Sequence, residues 1–305
     1  MSSMALTSRV DIKRSRTAAG RAAERLPLMR LLDLAYRLTP VVGRTLTRTW
    51  YQYISRLDKR ARMVFMNYGY ADTDPAGARL VLEPNDESDR YCIQLYHHVA
   101  GAVSLHGLDV LEIGCGRGGG ASYIARYLHP TSMVGVDISP VAIGFCSRHH
   151  VIDGLSFRHA DAEHLPFPDG SFDAIVNVES SHCYSSMRQF LSEVNRCLRP
   201  GGFFLFADRR DRRHVQVMRD QLRHGGFTEL KMTNITPNII RAIDLDEERK
   251  LALIHDGVPW LFRKAFKQFA AVQGTSLYRA FHNQDWEYLS FVLQKPTAGA
   301  DQRVS

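Results

Sequence analysis

The chain has 305 residues, of which 45% are hydrophobic and 23% charged, a composition typical of a folded globular protein that excludes a wholly disordered chain. Its net charge of +7 is unevenly distributed. Residues 1–62 contain 14 Lys/Arg against 4 Asp/Glu, whereas the other 243 residues contain 25 against 28, so the larger part is slightly acidic. We therefore expect no nucleic-acid partner, because phosphate binding needs cations gathered on the folded surface.

The five cysteines include no Cys-x-x-Cys pair and lie in apolar segments, which favours reduced thiols and a cytoplasmic location. No apolar run approaches the roughly 18 residues that a membrane span requires. The first 25 residues are basic and Ala-rich and lack the apolar core of a signal peptide.

The N-terminal segments are the most basic part of the chain. Residues 1–24 offer little to bury, so we expect a disordered tail there, followed by a helical cap over residues 25–85. The first helix of the cap is amphipathic, and its cations leave two interpretations open. It packs as a cap on the body, or it makes a peripheral contact with anionic lipid at the inner face of a membrane.

Residues 86–235 alternate short apolar runs with helical segments, a pattern that predicts a doubly wound parallel sheet. Beyond this core, we expect residues 236–275 to form a helical lid, residues 276–295 to supply the last strand and residues 296–305 to be a flexible tail. The predicted fold is α/β: a doubly wound, mostly parallel, seven-stranded, Rossmann-like sheet with N-terminal helices and a helical insertion before the last strand. The first five strands are predicted at residues 109–113, 133–137, 155–158, 172–177 and 203–207.

The strongest local signal is VLEIGCGRGG at residues 110–119, a strand that enters a glycine turn and opens a helix. Gly114 and Gly116 also satisfy the dinucleotide fingerprint, with Asp137 at the expected distance. Glu112 argues against a dinucleotide as the ligand of this turn. Its negative charge favours a cationic amino or sulfonium group and disfavours a pyrophosphate.

Acidic residues after the second and third strands support the same ligand. Asp137 is placed to accept both hydroxyls of a ribose, and Asp161, followed by Ala162, to accept from an exocyclic adenine amine. These positions predict S-adenosylmethionine as cofactor and S-adenosylhomocysteine as product. An NAD-dependent enzyme and a protein that holds the cofactor without turnover remain alternatives. No metal is expected, since the adjacent histidine pairs at 97–98 and 149–150 lie on predicted helices and point apart.

The order of these motifs resembles the class I S-adenosylmethionine-dependent methyltransferases over about residues 88–295. FMNYGY at 65–70, DESDR at 86–90 and NVESSHCY at 177–184 narrow the resemblance to the mycobacterial lipid O-methyltransferases, the phthiotriol and phenolphthiotriol dimycocerosates methyltransferases in particular. The resemblance implies an enzyme that methylates a hydroxyl of a long-chain lipid. Ile138 and Asn177 complete the predicted cofactor contacts, and Tyr68 is expected either to close over the sulfonium or to pack in the core.

Catalytic residues are expected beyond the carboxyl ends of strands four and five. Methyl transfer to a neutral alcohol requires removal of its proton, and a histidine held by a carboxylate supplies that base. Glu179, His182 and Asp208 match the Glu-x-x-His and Asp that related sugar O-methyltransferases carry at these places. We assign His182 as general base, Asp208 as its orienting partner and Glu179 to the rim of the site, against the alternative that His182 only caps a loop.

The sequence leaves the substrate of such a methyltransferase open. A fatty-acid carboxylate is already ionised at neutral pH and needs no base, so esterification of a fatty acid is the first alternative to hydroxyl methylation. Methylation of a glycolipid or glycopeptidolipid is another. The many apolar residues of the predicted lid support an apolar substrate but are also accounted for by packing on the sheet.

Overall fold

The computed structural model describes residues 63–74 and 79–297, apart from the side chain of Leu261. The predicted basic tail and the predicted helices before residue 63 therefore lie outside the described residues, as does most of the predicted C-terminal tail. The described part of the predicted helical cap, residues 63–74 and 79–83, is irregular. It leads into a 3₁₀ turn at Pro84–Asp89.

Seven strands form one sheet in the order β3-β2-β1-β4-β5-β7-β6. The first five are parallel, and β7 is antiparallel to both of its neighbours. This confirms the predicted mostly parallel seven-stranded sheet. The strands are β1 Asp109–Ile113, β2 Ser132–Asp137, β3 Leu155–His159, β4 Phe172–Val178, β5 Leu198–Asp211, β6 Thr228–Asn234 and β7 Trp286–Gln294.

Helices cover both faces of the sheet, as a doubly wound fold requires. Apolar residues of α1 and α2 join one buried cluster and those of α4 and α5 join the other. The helices that alternate with the strands are α1 Arg90–Ala100, α2 Gly119–Tyr127, α3 Pro140–His149, α4 Met187–Cys197 and α5 Val215–His224.

Strand β5 shows how the sequence directs side chains to the two faces. Phe204 and Phe206 join one cluster and Leu205 and Ala207 the other, because successive side chains of a strand point to opposite faces. The strand continues to Asp211, so Asp208 pairs with Leu289 inside the sheet. Our expectation that Asp208 lies just past the strand was wrong, since its pairing with β7 prolongs β5.

The helical insertion lies between β6 and β7, where the sequence predicts it, and we call residues 236–282 the lid. It extends beyond residue 275, because residues 276–282 form a helix and β7 begins only at Trp286. Lys250 ties the lid to the body by donating to the Tyr68 carbonyl oxygen at 3.0 Å. Among the residues that the structure describes, no helix is both long and apolar enough to cross a bilayer. The lid helices are α6 Thr236–Leu245, α7 Glu247–Gly257, α8 Arg263–Phe269 and α9 Ser276–His282.

Candidate active site

A cavity of about 370 Å³ opens at the carboxyl ends of β1, β2 and β4. In parallel sheets this edge is where ligands bind, because the connections between strands and helices leave a crevice there. The irregular segment Val64–Asn67 covers one side of the cavity. Of the predicted site residues, the cavity is lined by Gly114, Gly116, Asp137, Ile138, Asp161, Ala162 and Glu179.

The glycine turn after β1 forms the floor of the cavity. Gly114 and Gly116 have φ angles of 76° and 54°, a region that other residues rarely adopt. A Cβ atom on Gly114 would lie 2.4 Å from the Ser180 hydroxyl oxygen, and one on Gly116 would lie 2.9 Å from the Met66 methyl carbon. The turn therefore needs both glycines, for its backbone angles and for space.

Glu112 lies behind this turn and is fully buried. Its Oε1 accepts a 2.6 Å hydrogen bond from the Tyr96 hydroxyl, and its Oε2 has no hydrogen-bond partner among the described residues. Burial raises the pKa of Glu112 to about 7, although the Tyr96 hydrogen bond lowers it. Gly120 makes the approach of Tyr96 possible, since a Cβ there would lie 2.0 Å from the tyrosine ring. Glu112 Oε2 is therefore a buried acceptor that a cationic donor would satisfy.

Asp137 ends β2 with its carboxylate held by the backbone. Its two oxygens accept from the Gly116 and Ser139 amides at 3.0 and 2.8 Å. Each oxygen keeps a further lone pair, so the carboxylate is able to accept from a pair of ligand hydroxyls as well. Asp161 is held in the same way, by the Glu163 amide at 2.9 Å.

Three predicted cofactor residues do not line the cavity. Glu112 lies behind the turn, as described above. Asn177 is fully buried beneath the cavity and donates to the Ser180 hydroxyl at 2.7 Å and the Tyr184 hydroxyl at 3.0 Å. Tyr68 packs its ring edge-on against Phe281, which supports the core alternative for this residue. Asn177 and Tyr68 thus support the lining and do not form it, because their side chains point into the body.

Glu179 follows β4 with a φ angle of 52°, which is unusual for a residue with a side chain. Its Oε1 accepts from the Tyr68 amide and from the Tyr288 hydroxyl, each at 2.9 Å. Burial raises the pKa of this carboxyl group to about 7. Both donors bind one oxygen, and Glu179 is one of the residues that line the cavity.

His182 and Asp208 are in contact next to Cys183, which lines the cavity, although neither of the two is itself a lining residue. The His182 Nδ1 atom lies 2.8 Å from the Asp208 Oδ1 atom, and the Asp208 side chain is fully buried. Asp208 also accepts from the His182 amide at 2.9 Å and the Ser181 hydroxyl at 2.5 Å. Several donors thus hold the carboxylate, and the carboxylate holds the ring.

The surroundings of His182 shift the pKa of its ring. Burial lowers its pKa, but the neighbouring Cys183 sulfur and the Asp208 carboxylate outweigh this and raise the pKa to about 9, against a smaller opposing effect of Arg209. Burial also raises the pKa of Asp208, but His182 and Arg210 lower it well below its usual range. At neutral pH the pair is therefore an imidazolium and a carboxylate.

The described residues fit S-adenosylmethionine. The orphaned Glu112 oxygen suits its amino group, the Asp137 carboxylate suits ribose hydroxyls, and the two glycines leave space that side chains would fill. Sequence reasoning missed the roles of Tyr96 and Tyr288. No local pattern marks them, because each meets its carboxylate only in the folded chain.

Comparisons with known proteins identify the family. A family model described as a methyltransferase domain matches residues 111–206. The chain is 39% identical over 248 residues to the phthiotriol/phenolphthiotriol dimycocerosates methyltransferase of Mycobacterium tuberculosis, a match that covers 81% of this chain and 91% of the relative. It is 37% identical over 263 residues to the fatty-acid O-methyltransferase of Mycolicibacterium smegmatis, covering 86% and 94%.

Among solved structures, the 4+2 cyclase SpnF superposes with a TM-score of 0.66 at 21% identity, covering 83% of this chain and 96% of that one. This likeness shows the fold alone. The sequence matches go further, since they extend over most of both chains. The chain belongs to the class I S-adenosylmethionine-dependent methyltransferases, in the family of the phthiotriol/phenolphthiotriol dimycocerosates methyltransferases.

Proposed function

We propose that this enzyme transfers the methyl group of S-adenosylmethionine to a hydroxyl of a long-chain, phthiotriol-type lipid. The observation that carries the proposal is the 2.8 Å contact between His182 and a fully buried Asp208 carboxylate, next to Cys183 in the lining of the cavity. A base of this kind is needed for an alcohol, which must lose its proton as the new bond forms. The lipid class is supported by the names of the relatives.

Four residues are proposed to hold the cofactor. Glu112 takes its amino group, Asp137 its ribose, and Asp161 with Ala162 its adenine. When bound, the cofactor supplies an electrophilic methyl group. The chain's own contribution is to place a nucleophile opposite the sulfur and to remove the proton of that nucleophile.

His182 is proposed to accept the substrate proton on Nε2. The Asp208 carboxylate accepts from Nδ1–H, which keeps the proton on that nitrogen and leaves the lone pair of Nε2 for the substrate. Because the pKa of His182 is about 9, the ring must first lose a proton, so turnover of an alcohol is expected to rise with pH toward that value. The Asp208 charge then stabilises the imidazolium that forms.

Glu179 is proposed to orient the substrate hydroxyl. Tyr68 and Tyr288 fix one of its oxygens, and the residue lines the cavity. With a pKa of about 7, this carboxyl group holds its proton for part of the neutral range and donates or accepts accordingly.

A second candidate function is methylation of a fatty-acid carboxyl group. The raised pKa of His182 favours it, because a protonated ring next to the Arg209 guanidinium attracts a carboxylate. The similarity to a fatty-acid O-methyltransferase points the same way. A glycolipid substrate and a protein that binds the cofactor without turnover are the remaining alternatives.

Deuterated-methyl S-adenosylmethionine distinguishes these functions when it is incubated with the enzyme and a long-chain diol, a fatty acid or a glycolipid. We expect the label on the diol hydroxyl. In His182→Ala, kcat for the diol is expected to fall about 100-fold or more, whereas kcat for esterification of a fatty acid would change less than about fivefold and the lost positive charge would raise KM.

Ser181→Ala is the matched control, because it removes a different donor to Asp208 and leaves the His182 ring in place. Label in fatty methyl esters alone, with His182→Ala unimpaired, would refute the hydroxyl proposal. Cofactor binding without any labelled product would favour the non-catalytic alternative.

A further inference from the structure

The outer side of the lid presents an exposed aromatic ring beside two cations. Trp260 is 77% exposed, and Lys264 and Lys267 are exposed on the helix that follows. The 3₁₀ turn Trp260–Phe262 runs directly into α8 at Arg263. The three side chains are spaced four and three residues apart, so they share one side of the turn and helix. We call Trp260, Lys264 and Lys267 the lid stripe.

The charge of this part of the lid differs from that of the rest of the described chain. The 28 residues between Asp256 and Asp285 contain four Lys or Arg and no Asp or Glu. Asp256, which borders the segment, lies 3.3 Å from the His255 ring. Outside residues 1–62 the chain is slightly acidic, so the segment is a local positive region.

The opposite side of the same turn and helix is apolar and leads to the cavity. Phe262 and Phe266 belong to a cluster in the lid that also contacts Met66. Met66 lines the cavity. Arg263 fixes the turn, since it donates to the Val258 carbonyl oxygen at 3.0 Å and to that of His255 at 2.7 Å. The turn that carries the lid stripe is thus fixed to the lid, and the apolar cluster on its opposite side contacts Met66 at the cavity.

We propose that the lid stripe docks the enzyme on an anionic lipid bilayer. Tryptophan is favoured at the interface between headgroups and acyl chains, and nearby lysines are attracted to anionic headgroups. A lipid substrate then passes from the bilayer along the apolar cluster around Phe266 to Met66 at the cavity. This second step rests on the proposed lipid substrate, whereas docking itself does not.

Vesicle co-sedimentation of the full chain tests the docking. The vesicles are phosphatidylcholine with and without phosphatidylglycerol. Replacing both lysines, as Lys264→Gln with Lys267→Gln, is expected to weaken binding to the anionic vesicles about 25-fold, or about fivefold per cation. The control Arg188→Gln with Lys231→Gln removes two exposed cations elsewhere and is expected to leave binding unchanged. The basic residues 1–62 are the same in all variants, so their contribution cancels in the comparison.

Fluorescence locates the contact independently of charge. Lipids brominated in their acyl chains are expected to quench wild-type emission more than that of Trp260→Phe, because only the wild type has an indole at residue 260 in the bilayer. Equal quenching in both proteins, or equal binding of the double lysine variant and wild type, would overturn the proposal. Loss of binding to single-stranded RNA in the lysine variant, without quenching at Trp260, would assign the stripe to nucleic acid and also overturn it.

Activity separates this inference from the proposed function. The lysine variant is expected to methylate a short-chain, water-soluble alcohol as fast as wild type but a vesicle-embedded diol at least about tenfold more slowly, since weaker docking lowers the bound fraction. Wild-type enzyme that methylates neither substrate would refute the proposed function, while the binding and quenching data would still decide the docking. Equal rates on the embedded diol would refute delivery from the bilayer.

Discussion

The most direct test of the proposed mechanism is Asp208→Asn. The substitution preserves the shape of a fully buried side chain but removes the charge that faces the His182 ring. An asparagine oxygen is still able to accept from Nδ1–H. Its amide nitrogen is a donor, however, and in place of Oδ2 it would face donors that now bind the carboxylate, the Ser181 hydroxyl and the His182 amide.

The expected magnitude follows from the pKa of His182. A rise from 6.5 to about 9 corresponds to about 3 kcal/mol in favour of the imidazolium, after the cost of burial has been overcome. With Asp208 neutral, one of the two groups that raise the pKa of His182 is lost, so we expect this pKa to fall. We also expect kcat for an alcohol to fall about 100-fold or more, because the imidazolium formed in the transition state loses its counter-charge.

The assay is the pH dependence of kcat for a long-chain diol in wild type and in Asp208→Asn. Activity in wild type is expected to rise with pH up to about 9, since only the neutral ring of His182 accepts a proton. In the variant the rise is expected at lower pH and with a lower plateau. Circular dichroism and Ser181→Ala, which keeps the carboxylate, control for misfolding. An unchanged midpoint, with kcat within about fivefold of wild type, would refute the reasoning.

Three further predictions concern the cofactor cavity. Glu112→Gln is expected to raise the free energy of unfolding of the cofactor-free protein by about 3 kcal/mol above pH 7, because burial raises the Glu112 pKa from 4.5 to about 7 and ionisation of the carboxyl group then costs stability. Urea unfolding should show this gain vanishing toward pH 4.5, and calorimetry should show weaker binding of S-adenosylhomocysteine. Gly120→Ala places a Cβ 2.0 Å from the Tyr96 ring and is expected to weaken binding of S-adenosylhomocysteine at least about tenfold. The control Gly257→Ala, whose new Cβ has no atom within 4 Å, is expected to leave the affinity unchanged. Equal affinities of the two variants would contradict the role of Gly120. Burial raises the pKa of Cys183, but the neighbouring His182 outweighs this and lowers it. Mass spectrometry should therefore find iodoacetamide on Cys183 before the four buried cysteines, and S-adenosylhomocysteine should protect Cys183. Faster labelling of a buried cysteine would contradict the lowered pKa of Cys183.

Local patterns in the sequence were sufficient for the architecture. Short apolar runs separated by helical segments indicated the doubly wound sheet, and the glycine turn placed Gly114, Gly116 and Asp137 at one edge of it. These features depend on strand alternation, helix periodicity and backbone angles, which act over a few neighbouring residues. The same reasoning placed His182 near Asp208, since the ends of adjacent parallel strands meet.

The chemical state of the site depended on tertiary structure. The Tyr96 hydroxyl reaches Glu112 from a helix packed behind β1, and the Tyr288 hydroxyl reaches Glu179 across the sheet from β7, 109 residues further along the chain. Asp208 lies within β5 only because β7 pairs alongside it. These contacts join segments far apart in the chain, and the resulting burial determines which carboxyl groups hold a proton. Desolvation is a property of the packed fold, so no local run of residues reveals it.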